Sequence, residues 1–138
     1  MIPSPASSAD DIVAFLESRR NQTNLAGMAR YGIATDRALG IPNAELRPLA
    51  RAIGRNHDRA LALWQSGIRE ARVLATFTDE KSKVTAEQAR RWAGDFNSWE
   101  IVDHSADLFV EAGLGPVLIA EFASDDREFV GRAAFAMI

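Results

Sequence analysis

Hydrophobic positions recur with a helical period along nearly the whole chain, and no sustained alternation marks a strand. Ser8 stands where an N-cap belongs, ahead of Ile12, Phe15 and Leu16, and predicts a first helix. A second is expected over residues 25–31, with Gly32 and Gly40 marking a loop. After Asn43, the positions Leu46, Leu49, Ala50 and Ile53 form one apolar stripe that Gly54 closes. Pro48 lacks a backbone donor and predicts a late start or a bend there. Further helices fit residues 58–65, 68–77, 85–94, 98–112, 116–123 and 125 to the end, and Thr85 with Gln88 has the spacing of a capping box.

Three segments echo one another. Trp64-Gln-Ser-Gly leads into Ile68, Trp92-Ala-Gly-Asp into Ser98, and Phe122-Ala-Ser-Asp into Glu128, with the aromatic markers 28 and 30 residues apart. Each reads as a helix, a short polar turn and a second, more buried helix. The pattern predicts an all-α chain, a HEAT-like helical-repeat solenoid, built as one domain over residues 1–138. The run from Phe129 to Ile138 is apolar and carries no closing cap. A solenoid needs a polar end, so this helix is expected to expose apolar surface that further repeats or self-association would cover.

Composition narrows the possible chemistry. At 138 residues, 47% hydrophobic and 25% charged, the balance is that of an ordinary globular protein large enough for a core. The absence of cysteine excludes a disulfide framework and a thiolate metal site. No run approaches the roughly 18 apolar residues of a membrane span, and the opening residues lack a leader pattern, so a cytoplasmic protein is expected. The net charge of -3 disfavours nucleic acid as a partner, but its distribution is uneven: residues 1–92 sum to +4 and residues 93–138 to -7. Fourteen of the sixteen cationic residues are Arg, the side chain better suited to bidentate phosphate contacts.

Candidate chemistry concentrates on the helix after Ser98. On a wheel of about 100° per residue, Ile101, Val102, Ser105, Leu108, Phe109 and Ala112 form the core face. Glu100, Asp103, Asp107 and Glu111 lie opposite, a pattern that a solvated acidic face also satisfies. Trp99 falls about 120° from the core centre and shares a face with Asp103 at i and i+4. That pair sets an aromatic wall beside an anion, although Trp99 could equally pack against a neighbouring repeat. His104 points about 100° away from Asp103 and no second His lies near, so a metal site is rejected and no cofactor is expected. Arg47, Arg51, Arg55 and Arg59 follow a four-residue spacing and form a candidate phosphate strip, or an ordinary wet face. Arg132 sits in an apolar helix at the repeat position of Arg72 and needs a partner: Glu128, Asp103 or a backbone phosphate.

With these residues in place, the chain resembles the bacterial DNA alkylation repair family, the AlkD-type alkylpurine DNA glycosylases. The resemblance is carried by Met28-Ala-Arg-Tyr-Gly-Ile, Leu39-Gly-Ile-Pro-Asn-Ala-Glu-Leu-Arg, Gly67-Ile-Arg-Glu-Ala-Arg-Val-Leu-Ala, Asp95-Phe-Asn-Ser-Trp-Glu-Ile-Val-Asp and Phe129-Val-Gly-Arg-Ala-Ala-Phe-Ala, in family order from about residue 25 onward. It implies a curved HEAT-like solenoid holding alkylated duplex DNA on a basic concave surface and excising cationic N3- and N7-alkylated purines. It also implies that Trp99 and Asp103 match the family's catalytic W-x-x-x-D, that Arg132 matches its active-site Arg, and that Tyr31 lines the same surface. Arg47, Arg51, Arg55 and Arg72 would then contact DNA. Family members are longer, and a further site Trp lies in C-terminal repeats with no counterpart here, so the resemblance covers the N-terminal part of the family domain. The alternative is a non-catalytic module that binds DNA or protein.

Overall fold

The computed structural model describes residues 2–30 and 37–138. Among these residues the chain forms nine α-helices and one 3-10 turn and no strand, in two compact units, Met1–Asp79 and Glu80–Ile138. The expectation for Tyr31 and Gly32 lies outside the described residues.

The first unit holds α1 (Ala9–Ser18), α2 (Gln22–Arg30), α3 (Asn43–Ile53), α4 (His57–Gln65) and α5 (Arg69–Thr78). Local sequence sets the starts of several of these. The Ser8 hydroxyl accepts from the Asp11 amide at 3.1 Å, and Asn56 Oδ1 from the Arg59 amide at 2.9 Å. Helix α3 does not start late: it begins at Asn43 and continues through Pro48, which is solvent-exposed. Gly54 ends it with φ +69°, donating its amide to Ala50.

Nearly every side of α5 is buried, because it packs against α1, α3 and α4. Leu63, Trp64, Val73 and Leu74 join Ile12, Leu16, Leu46 and Ile53 in this core. Each such side chain contributes about 1.5–3 kcal/mol on leaving water.

Two buried charges begin α5. Glu70 is fully buried; its Oε1 accepts the Leu39 amide at 2.8 Å, and its Oε2 those of Gly40 and Ile41 at 2.9 and 3.1 Å. Arg69 donates to the same Oε2 at 2.9 Å, to the Ile41 carbonyl at 2.9 Å and to Asn43 Oδ1 at 3.0 Å. Three successive amides converging on one carboxylate form an anion-binding concavity of backbone. Gly40 makes it possible, with φ +83° and a position where a Cβ would lie 2.2 Å from the Asn21 carbonyl oxygen. The Leu39-Gly-Ile-Pro segment therefore has a structural purpose, which is to seat the lead-in to α3 on α5.

The second unit holds the 3-10 turn Lys81–Lys83, α6 (Ala86–Ala93), α7 (Trp99–Glu111), α8 (Gly115–Ala123) and α9 (Glu128–Ala136). Thr85 Oγ1 accepts the Gln88 amide at 3.1 Å, the cap bond of the expected box, and Ser98 Oγ caps α7 by accepting the Ile101 amide at 3.4 Å. Helix α9 packs against α7 and α8, and Trp92 of α6 meets Phe109 of α7 with ring centroids 6.4 Å apart. The three repeat markers, Trp64, Trp92 and Phe122, are all buried near the ends of α4, α6 and α8, each ahead of a turn into the next helix. At the other extreme Phe135 and Ile138 are exposed, leaving an apolar edge on α9 and the chain end. No helix among the described residues is long and apolar enough to cross a membrane.

Candidate functional site

Helix α7 buries Ile101, Val102, Ser105, Leu108 and Phe109, which turns Trp99 and Asp103 away from the core. Trp99 is the first residue of the helix after its Ser98 cap and remains 46% exposed. The Asp103 side chain, one turn on, is 44% exposed. Packing of α9 against α7 brings Arg132 to the same place. Its guanidinium carbon lies 5.8 Å from the Trp99 ring centroid, and its Nε 3.9 Å from Asp103 Oδ1. Of the partners expected for Arg132, Asp103 is the one in reach, by an ion pair longer than a hydrogen bond.

An open cleft of about 630 Å³ adjoins this trio. Asp103 and Arg132 line it, together with Asp125, Asp126, Arg127, Glu128 and Phe135. Four carboxylates against two guanidiniums make it acidic. Arg127 Nε and a terminal guanidinium nitrogen each bond one oxygen of Asp125 at 2.9 Å, and the Arg127 amide adds a third bond at 2.9 Å. The guanidinium and then the amide hold the Asp125 carboxyl down at about 2, so it keeps its charge at neutral pH. These lining residues are not singled out by sequence, although Asp125-Asp126-Arg127 ahead of an apolar helix is a recognisable turn signal.

The arginines of the first unit divide by partner. Arg51 is exposed on α3. Arg47, also exposed, places its guanidinium 4.5 Å from the Phe77 ring centroid. Arg55 donates to the Asp79 carbonyl at 2.9 Å. Arg59 departs from the expected strip: it is buried and donates to the carbonyls of Ile53 and Gly54, so it closes the C-terminal end of α3 instead of meeting solvent. The end of a helix leaves carbonyls without partners, and a guanidinium satisfies several at once. Arg72 is half-buried, with its Nε 3.1 Å from the Trp64 carbonyl and its guanidinium 4.9 Å from that ring's centroid. It therefore serves the turn between α4 and α5, and its repeat partner Arg132 is the more exposed of the two. Among the described residues no three His, Asp or Glu side chains are grouped to hold a metal ion.

A comparison with protein families matches residues 12–138 to the model described as DNA alkylation repair enzyme. No curated protein and no solved structure gives a match.

Proposed function

Because the chain belongs to the DNA alkylation repair enzyme family, we propose that it acts as a DNA glycosylase on duplex DNA, excising purines made cationic by alkylation at N3 or N7. The reading is supported above all by one observation, the meeting of Trp99, Asp103 and Arg132 from α7 and α9 beside an acidic cleft. An alkylated purine is already a good leaving group, so the site needs little acid catalysis. Cleavage of the glycosidic bond builds positive charge on the sugar. The Asp103 carboxylate stabilises that charge and orients the attacking water, and the Trp99 face adds the attraction of its ring for a cation. Arg132 holds the backbone phosphate beside the lesion. The same reading takes the helix pairs as HEAT-like repeats.

The direct test is release of 7-methylguanine and 3-methyladenine from methylated duplex DNA by the full chain. Release above the spontaneous rate is the expected result. Affinity for DNA without release would favour the second reading, a non-catalytic binding module.

The two kinds of arginine give a further prediction. Arg51→Ala is expected to weaken DNA binding about uniformly across sequences and to lower the slope of log affinity against log salt by about one, with thermal stability unchanged. Arg72→Ala is expected to lower stability by about 1–2 kcal/mol, through the lost carbonyl bond and ring contact, and to leave the salt slope nearly intact. Salt titrations and thermal melts of both variants check the contrast.

A further inference from the structure

Helix α2 has no buried residue, and among the described residues no other helix packs along it. Its ties to the chain lie in its first turn. The Asn21 amide donates to the Leu39 carbonyl at 2.7 Å, Asn21 Oδ1 accepts the Asn24 amide at 3.0 Å, and Asn24 Nδ2 donates to the Gly40 carbonyl at 3.0 Å. Nine residues are too few for a firm helix in water on propensity alone, and packing of one face normally makes up the difference. Gly27 weakens this helix further. A Cβ there would meet nothing within 4 Å and the φ is not positive, so neither a close approach nor a turn requires glycine. Relative to alanine, glycine inside a helix shifts its equilibrium about fivefold toward the open chain.

The charge around α2 is of one sign. Residues 18–35 carry three arginines and no acidic side chain, in a chain whose net charge is -3. Arg19 and Arg20 precede the helix and Arg30 ends it; all three are exposed, with no carboxylate partner among the described residues. Gln22, Ala26, Ala29 and Arg30 are exposed at the spacing of one helix face. A face without acid, bracketed by uncompensated guanidiniums, suits a polyanion.

We propose that duplex DNA completes α2: the phosphate backbone settles across its exposed face, Arg19, Arg20 and Arg30 hold it, and the second half of the helix becomes firm only then. The choice of DNA rests on the reading above; the addition is a contact surface in the first unit whose folding is coupled to binding. Gly27 tunes that coupling, because affinity is reduced by whatever fraction of chains lacks the helix.

The test is hydrogen exchange on the full chain, with and without an undamaged duplex. In the free chain the amides of residues 26–30 are expected to exchange faster than those of α4 and α5. With DNA at about ten times its Kd they are expected to slow about tenfold. Gly27→Ala is expected to tighten binding about twofold to fivefold, and Gly27→Pro, which cannot continue the helix, to weaken it about tenfold or more. Both should leave the thermal melt unchanged, because α2 carries no core side chain. Arg20→Ala with Arg30→Ala is expected to lower the slope of log affinity against log salt by about two. Amides of residues 26–30 as protected in the free chain as those of α5, or equally fast with and without DNA, would overturn the proposal. So would one affinity shared by the chain and both Gly27 variants. Base release from methylated duplex is scored separately. Ordering of α2 without release keeps the proposal and counts against the glycosylase reading, whereas release with α2 indifferent to DNA does the reverse.

Discussion

Asp103→Asn is expected to lower the rate of base release from methylated DNA by about 10²–10³-fold, the usual effect of removing one preorganised electrostatic group. Asn keeps the shape of the side chain and its place on α7, so the variant isolates the charge. The face is half-exposed and makes no contact that the helix needs, so stability should change by less than about 0.5 kcal/mol. Affinity for undamaged duplex should hold or rise slightly, because one anion facing the phosphates is gone. Loss of rate without loss of binding is the signature of a group that acts in the transition state. Single-turnover kinetics with the protein in excess over DNA separates the two, and an unchanged rate would remove Asp103 from the catalytic role.

The second large effect concerns the fold that carries the arginines. Glu70→Gln is expected to destabilise the chain by about 3–5 kcal/mol, the range for breaking a buried charge pair at one end. Four donors point at the two Glu70 oxygens: the amides of Leu39, Gly40 and Ile41 and the guanidinium of Arg69. An amide offers one acceptor oxygen and turns an NH₂ toward donors. The substitution therefore leaves a buried guanidinium without its counter-charge and at least one backbone amide unsatisfied. Set against a total stability of about 5–15 kcal/mol, this is a large fraction. Urea unfolding followed by far-ultraviolet circular dichroism measures it, and a change under about 1 kcal/mol would show that the cluster is not the clamp described. The effect should extend to DNA binding, since the clamped segment leads directly into α3 with Arg47 and Arg51.

Much of this arrangement is legible in the order of residues. Ser8 and Thr85 announce helix starts because a short polar side chain can accept from an amide two or three residues on, an interaction that depends on nothing distant. Trp64, Trp92 and Phe122 read as repeat markers because each lies near the end of one helix, just ahead of a turn. Pro48 misleads about where α3 starts, since the helix tolerates the lost bond on an exposed face. The arginines mislead more. Arg51 and Arg59 share one four-residue spacing, yet the first is exposed and the second closes the end of α3.

The sequence by itself determined the helices, the caps at Ser8 and Thr85, the family and the face shared by Trp99 and Asp103, because helical period and capping are local and fix which way each side chain points. Only the tertiary structure decided what each charge meets. Arg132 reaches Asp103 because α9 packs on α7, Glu70 gathers three amides because Gly40 turns the chain back over α5, and Arg59 is consumed by the end of α3. The physical reason is that a guanidinium bonds any acceptor within reach, backbone carbonyls included. Which acceptors come within reach is set by packing between helices, and periodicity along the chain does not encode it.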